Sequence, residues 1–252
     1  MKVITWNVNG IRARHVELQA LIAAEAPDVV CLQEIKAAPT QVPDLLVSAA
    51  DHYSYWHGSG GYSGVALIVR HSVVTERPAF HHPSFDMEHR IVVGDLGSAL
   101  IASVYVPNGG KDYDAKLRFF SALVDWAGET IASGRDVIIC GDLNVAREER
   151  DVHPKERKPN QIGTRPEERA LLARMLDAGL VDVGRSLDPD NDELFTWWAP
   201  WRNLRQRNIG WRIDYVLASR AMATRATTAV SRRDFGTSDH GAVVVRFEMN
   251  LP

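Results

Sequence analysis

The sequence predicts an α/β (α+β) protein in which two β-sheets pack together and carry helices on their outer faces. Three observations lead there. Short apolar runs rich in Val and Ile recur along the chain, most of them bounded by Gly, Pro or Asp, as strands are. Between them, three stretches repeat their apolar residues at the spacing of one helix face. Many strands with few helices suit packed sheets better than a doubly wound sheet, in which the two alternate. No low-complexity linker or internal repeat divides the 252 residues, so one domain over residues 1–252 is expected.

The chain opens on MKVITWNVNG, with one basic residue and early polar groups, which reads as a strand rather than a signal peptide. A helix is predicted over about residues 13–25, its apolar positions being Val16, Leu18, Leu21 and Ile22. VVCLQ, GVALIV, RIVVG and LIASVYV follow as strands. From about residue 112 to 132, Tyr113, Leu117, Phe120, Val124, Ala127 and Ile131 recur at spacings of four and three, a single apolar stripe. DVIICGD is the next strand, and residues 147–166 form a charged, irregular surface excursion. Thr164 and Glu167 stand at capping-box spacing before a third helix that buries Leu171, Leu172, Met175 and Leu176. RIDYVLA and AVVVRF close the set of strands.

No apolar run approaches the roughly 18 residues that a membrane helix needs. Cys31 and Cys140 both fall in runs expected to be buried strands, so a reduced, cytoplasmic protein is expected. The net charge of -3 makes no general case for nucleic acid. Residues 201–212 differ locally: Arg202, Arg205, Arg207 and Arg212 occur with no acid, and Trp201 and Trp211 flank them. Such a stretch is either a solvated loop or one that tracks phosphates and stacks on bases.

Polar side chains gather where the predicted strands end, which is where sites in sheet proteins form. Asn7 follows VITW, Glu34 follows VVCLQ, Tyr105 and Asn108 close the run from Leu100, and Asp142 and Asn144 end DVIICGD. Asp214 lies inside a strand, where a carboxylate needs a partner. His240 is a candidate for it, since a carboxylate fixes an imidazole's tautomer; capping of the strand, or Arg212, is the alternative. In GTSDHGAVVV, Asp239 and His240 are neighbours that a regular strand would point to opposite faces. They can serve one site only from a turn, which Gly236 and Ser238 permit.

Taken in order, TWNVNGIRAR, VVCLQEIK, YVPNGG, IICGDLNVA, GWRIDYVLAS and GTSDHGAVVV resemble the successive motifs of the exonuclease III family of apurinic/apyrimidinic endonucleases. That family lies within the endonuclease/exonuclease/phosphatase superfamily, and the resemblance runs from residue 5 to about residue 245. It implies a four-layer αββα sandwich of two mixed sheets. It also implies metal-dependent cleavage of duplex DNA 5′ to abasic sites, with 3′-to-5′ exonuclease and 3′-phosphatase action on blocked 3′ ends. The implied protein is a monomer that uses no membrane and no organic cofactor.

The implied cofactor is Mg²⁺, replaceable by Mn²⁺, in an oxygen-rich set. Glu34 is the expected ligand, with Asn7 beside it and Asp239 contributing directly or through water. One or two ions remain open, a second position falling near Asp142, Asn144 and His240. Asp142 would be the general base or carry a proton to the leaving group. Asn144, Tyr105 and Asn108 would hold the water and phosphate, and His240, oriented by Asp214, would donate to a non-bridging oxygen. Trp197, Trp211 and Ile213 resemble the walls of an abasic-sugar pocket, and Arg12 and Lys111 would contact the DNA backbone. Relatives carry Asp or Asn where Asn9 stands, and some carry Arg in place of Lys111. Two rival readings are a lipid or inositol phosphoesterase of the same superfamily and an inert DNA-binding module. The first would lack the GWRID and YVPNG context, and the second would not need carboxylates beside phosphate.

Overall fold

In the computed structural model, which describes residues 1–47 and 51–249, the apolar runs become strands and the stripes become helices. In chain order the elements are β1 (Lys2–Asn7), α1 (Ile11–Glu25), β2 (Val29–Gln33), α2 (Asp44–Val47), β3 (His52–His57), β4 (Val65–Arg70), β5 (Ala79–His81), β6 (Ile91–Asp95) and β7 (Leu100–Tyr105). Then follow α3 (Tyr113–Ala132), β8 (Val137–Asp142), α4 (Pro166–Asp177), β9 (Leu180–Asp182), α5 (Val183–Leu187), β10 (Asp214–Ser219), α6 (Arg220–Ala223), β11 (Ala226–Arg232) and β12 (Ala242–Phe247). Two six-stranded sheets result, in the orders β11-β12-β1-β2-β4-β3 and β5-β6-β7-β8-β10-β9. Each sheet has one parallel pair, β1 with β2 and β7 with β8. A parallel neighbour requires a crossover, and α1 and α3 supply the two.

Because side chains alternate along a strand, each apolar run feeds two cores. Val3, Val29, Cys31 and Leu67 of the first sheet meet Val92, Ile101, Ile138 and Cys140 of the second between the sheets. The alternate residues Ile4, Trp6, Val30 and Leu32 pack outward on Ile11, Leu18 and Leu21 of α1. Val93, Ala102, Val104 and Ile139 pack outward on Phe119, Phe120 and Leu123 of α3 and on Leu172 and Met175 of α4. Helix, sheet, sheet, helix: these are the four layers expected.

Several local expectations shift. Helix α1 begins at Ile11 rather than residue 13, and Val16 is 63% exposed, so its stripe is Ile11, Leu18 and Leu21. On α3 the buried face runs through Ala115, Phe119, Phe120, Leu123, Val124 and Ala127, with Lys116 among them. The capping box of Thr164 and Glu167 does not form. Pro166, whose ring presets the helical φ, takes the first helical position. Glu168 then accepts from the backbone N–H of Arg165 (2.9 Å) and Gly163 (2.8 Å), while the Thr164 hydroxyl turns to the Gln161 carbonyl.

The charged segment over residues 147–166 is not wholly a surface excursion. Asp151 is buried and accepts from Arg212 Nε (2.7 Å) and Arg185 Nη2 (2.8 Å), and Arg212 also reaches Asp182 Oδ1 (2.9 Å). Burial alone would raise the Asp151 pKa, but these guanidinium groups hold it below the usual carboxylate range. Arg212 is therefore committed to Asp151 and Asp182, not to Asp214. Arg205 binds the carbonyls of Arg233, Phe235 and Ser238, so only Arg202 and Arg207 of the four arginines lie exposed. Cys31 and Cys140 are free thiols inside the inter-sheet core. No helix among the described residues is long and apolar enough to cross a membrane.

Candidate active site

Strand register brings the polar ends together. Asn7 pairs with Gln33, Tyr105 with Asp142, and Asp142 with Asp214 across three strand pairs. Gly141 makes the β7–β8 approach, and with it the Tyr105–Asp142 pair, feasible, since a Cβ there would lie 1.9 Å from the Val104 carbonyl oxygen. Glu34 follows β2 with a left-handed backbone (φ 49°), a costly conformation for a non-glycine residue. Its carbonyl is fixed by Gly10 N–H at 2.8 Å.

Asn7, fully buried, donates from one amide nitrogen to Glu34 Oε1 and to Asp142 Oδ2, both at 3.0 Å. It therefore turns a donor, not its oxygen, toward the expected metal position; the oxygen accepts from Asn9 N–H. Lys36, which the sequence reading did not single out, pairs with Glu34 Oε2 at 2.8 Å and donates to Asn9 Oδ1 at 2.6 Å. Burial pushes the Glu34 pKa up, but the hydrogen bonds from Asn7 and Lys36 outweigh it and leave a lowered value.

Asp142 accepts from Asn144 N–H (2.9 Å) and from its side-chain amide (3.2 Å). Burial, aided by the charges of Asp214 and Glu34, pushes Asp142 up to about 7 against the pull of His240. His240 stands between two carboxylates: Nδ1 is 2.9 Å from Asp214 Oδ2, and Nε2 is 3.8 Å from Asp142 Oδ2. Asp214 is itself held by the Thr196 hydroxyl at 2.6 Å. Burial pulls the His240 pKa down, yet Asp214, Asp142 and Asp239 prevail and raise it to about 10. An imidazolium has no lone pair, so this ring is a donor toward the cleft. Asp239 accepts from Asn9 Nδ2 (2.8 Å) and Trp197 Nε1 (2.9 Å). Both residues leave the same turn, which the Ser238 hydroxyl ties to the Asn7 carbonyl at 2.7 Å.

The cleft above these groups has a volume of about 410 Å³. Of the sequence candidates, Glu34, Tyr105, Asn108, Asp142, Asn144, Trp197, Trp211, Ile213, Asp239 and His240 line it. Asn7 and Asp214 stand behind as buried supports, while Arg12 and Lys111 are exposed outside it. Among the described residues, one set of three acidic or imidazole groups has ligand atoms within 4.8 Å of one another: Glu34, Asp142 and His240. With His240 protonated, the carboxylate oxygens remain, and they fit a hard cation. Trp197 and Trp211 meet edge to face (6.1 Å, 87°), and Gly163 lets the chain pass close to the Trp211 ring. Arg90 lies 4.7 Å from the Tyr105 ring centre and supports it from below.

Lys116 is the supporting residue that sequence reasoning missed most plainly, although a lysine beside Ala115 and Phe119 in an apolar stripe was a visible signal. Its ammonium donates to the carbonyls of Asn144 (2.8 Å) and Asn108 (3.4 Å) and pairs with Glu168, both side chains being fully buried. Three loops of the cleft thus hang on one ion pair. Lys116→Met, which leaves the buried Glu168 charge without its counter-ion, is expected to cost about 3–5 kcal/mol of stability. Denaturant unfolding checks it, and adding Glu168→Gln should restore part of the loss.

Residues 4–240 match the endonuclease/exonuclease/phosphatase family. The chain is 34% identical over 247 residues to an exodeoxyribonuclease of Bacillus subtilis, covering 95% of this chain and 96% of that one. It is 32% identical to the DNA repair nuclease APEX1 of Danio rerio, over 95% of this chain and 80% of the relative. Among solved structures it is similar to a 3′ phosphatase from Neisseria bound to a product DNA hairpin, with a TM-score of 0.90, 28% identity and coverage of 99% and 100%. An AP endonuclease from Archaeoglobus fulgidus gives a TM-score of 0.89, 26% identity and the same coverage.

Proposed function

Because the chain belongs to the endonuclease/exonuclease/phosphatase family, in its exonuclease III branch, we propose that its DNA-repair nuclease activity is directed 5′ to abasic sites of duplex DNA. The observation that carries this reading is the Asp142–His240–Asp214 array on the floor of a cleft walled by Trp197, Trp211 and Ile213. Glu34 and Asp142 would hold Mg²⁺, for which Mn²⁺ can substitute, with Asp239 contributing directly or through water. Bound there, the ion neutralises charge on the phosphate.

The chain's own groups do the rest. Asp142 takes the proton of the attacking water, which its raised pKa favours. His240 donates from Nε2 to a non-bridging phosphate oxygen, and Asp214 keeps that ring charged and oriented. Asn108 accepts from Gly110 N–H through its oxygen, leaving its amide nitrogen to donate to the phosphate. Tyr105, whose pKa burial and then Glu34 and Asp142 raise, stays a phenol and a donor. An abasic sugar leaves the stack at little cost and would rest against the wall that Trp197, Trp211 and Ile213 give the cleft. The same residues would serve 3′-to-5′ exonuclease or 3′-phosphatase chemistry at a blocked 3′ end.

A labelled duplex carrying a tetrahydrofuran abasic analogue tests the reading. Cleavage 5′ to the analogue is expected with Mg²⁺, and chelation by EDTA should stop it. Equal cutting of undamaged duplex, or hydrolysis of inositol or lipid phosphates in preference to DNA, would overturn the proposal.

A further inference from the structure

At the open edge of the sandwich, the edge strand of one sheet faces the edge strand of the other. From β3 and β5, Tyr55 stacks on Phe80 (5.4 Å, 20°), and the next pair along is His57 of β3 on His82, the residue after β5 (4.3 Å, 12°). His89 meets the His57 ring edge-on at 4.6 Å and 64°. Three imidazoles therefore continue an aromatic ladder that apolar rings begin. None of them lines the nuclease cleft.

The tautomer of His57 is fixed by its partner. Asp86 Oδ1 accepts from the backbone N–H of Arg90 (2.8 Å) and Ile91 (3.2 Å), and Oδ2 lies 2.6 Å from His57 Nε2. Although burial opposes it, His57 and those N–H groups hold the Asp86 pKa below its usual value. An ionised carboxylate only accepts, so Nε2 carries the proton between them, and in the neutral ring Nδ1 keeps its lone pair. That is the arrangement of a metal-ligating histidine with its outer-shell carboxylate. Glu88 and His89 both adopt left-handed backbones (φ 54° and 60°), a conformation uncommon outside glycine, and this brings the His89 ring to the cluster.

We propose that His57, His82 and His89 form a second metal site, for a divalent transition ion such as Zn²⁺, with Asp86 orienting His57. An all-imidazole donor set suits Zn²⁺, Co²⁺ or Ni²⁺ and not Mg²⁺, so the site is chemically distinct from the carboxylates at Glu34 and Asp142. The ring nitrogens do not yet surround one point. His82 is exposed and His89 half-buried, so both rings are free to turn, and an ion would draw His82 out of its stack on His57.

Co²⁺ titration of the whole protein in saturating Mg²⁺, followed by visible absorption, tests this. A single equivalent of Co²⁺ should give d–d bands that Zn²⁺ displaces. The bands should persist in Glu34→Gln and vanish in the double variant His82→Ala with His89→Ala. Asp86→Asn should weaken Co²⁺ binding about 10–100-fold. Should the double variant not fold, His82→Ala alone, at an exposed position, should weaken binding at least about tenfold by loss of one of three ligands. Absence of bands, bands that survive loss of both histidines, or bands lost with Glu34→Gln would each overturn the proposal. In those cases the three rings are an aromatic ladder and nothing more.

Discussion

Asp142→Asn is expected to lower the rate of cutting an abasic duplex by about a thousandfold or more while leaving duplex affinity within a few-fold of the parent. The substitution is isosteric. The carbonyl oxygen can still accept from Asn144 N–H, now 2.9 Å from Oδ1, while the Asn7 and Asn144 side-chain amides lose the acceptor they had in Oδ2. What disappears is the proton acceptor, in a reaction whose nucleophile must be deprotonated, together with one of the two carboxylates proposed to hold the ion; general base catalysis of this kind by itself contributes about 10²–10⁴-fold. A negative charge beside the scissile phosphate disappears as well, which favours binding of the substrate if anything. Single-turnover cleavage and fluorescence anisotropy on the same labelled duplex separate the two effects. A rate within tenfold of the parent would remove Asp142 from the chemistry.

Why this residue could be picked from sequence, and others could not, has a physical reason. Asp142 and Asn144 end a run of buried apolar residues, and a polar group at the end of such a run is visible without coordinates. The same holds for Glu34 and Tyr105. The strands that the sequence did not display are β3, β5, β9 and β11, and these are the four outer strands of the two sheets. An outer strand has one neighbour and more contact with water, so it carries fewer Val and Ile and breaks the apolar pattern. HYSYWH and ATTAVSR are examples.

Partnership was less legible still. Nothing in the charged segment 147–166 announces that Asp151 turns inward to Arg212 and Arg185, because an aspartate reads alike whether it faces water or a guanidinium. The left-handed backbone of Glu34 is equally silent, as it arises from the close run of β2 into the loop and not from residue type. Asn7 shows the limit best: the residue was legible, but which end of its amide faces Glu34 and Asp142 emerges only from the three-dimensional network. The placement of Lys116 under Asn108 and Asn144 is of the same kind.

The Asp214–His240 pair carries the second large effect, and its signature is in pH as well as rate. His240→Ala deletes one preorganised donor to developing charge and should cost about 10²–10³-fold in kcat. Asp214→Asn leaves the ring in place but removes the foremost of the charges that lift the His240 pKa to about 10. If the imidazolium is the active form, activity falls as pH rises through its pKa, so a lowered pKa moves the alkaline limb of the rate profile to lower pH. In Asp214→Asn the burial of the ring is no longer outweighed to the same degree, and the limb should shift down at fixed Mg²⁺. The rate deficit should therefore narrow toward acid pH, where the ring recharges. His240→Ala should show no such limb from this group at any pH, and His240→Gln, a donor that does not titrate, should recover part of the rate without restoring it. A merely structural role for Asp214 predicts a uniform loss across pH with the limb unmoved, and that outcome would sever the pair from the chemistry.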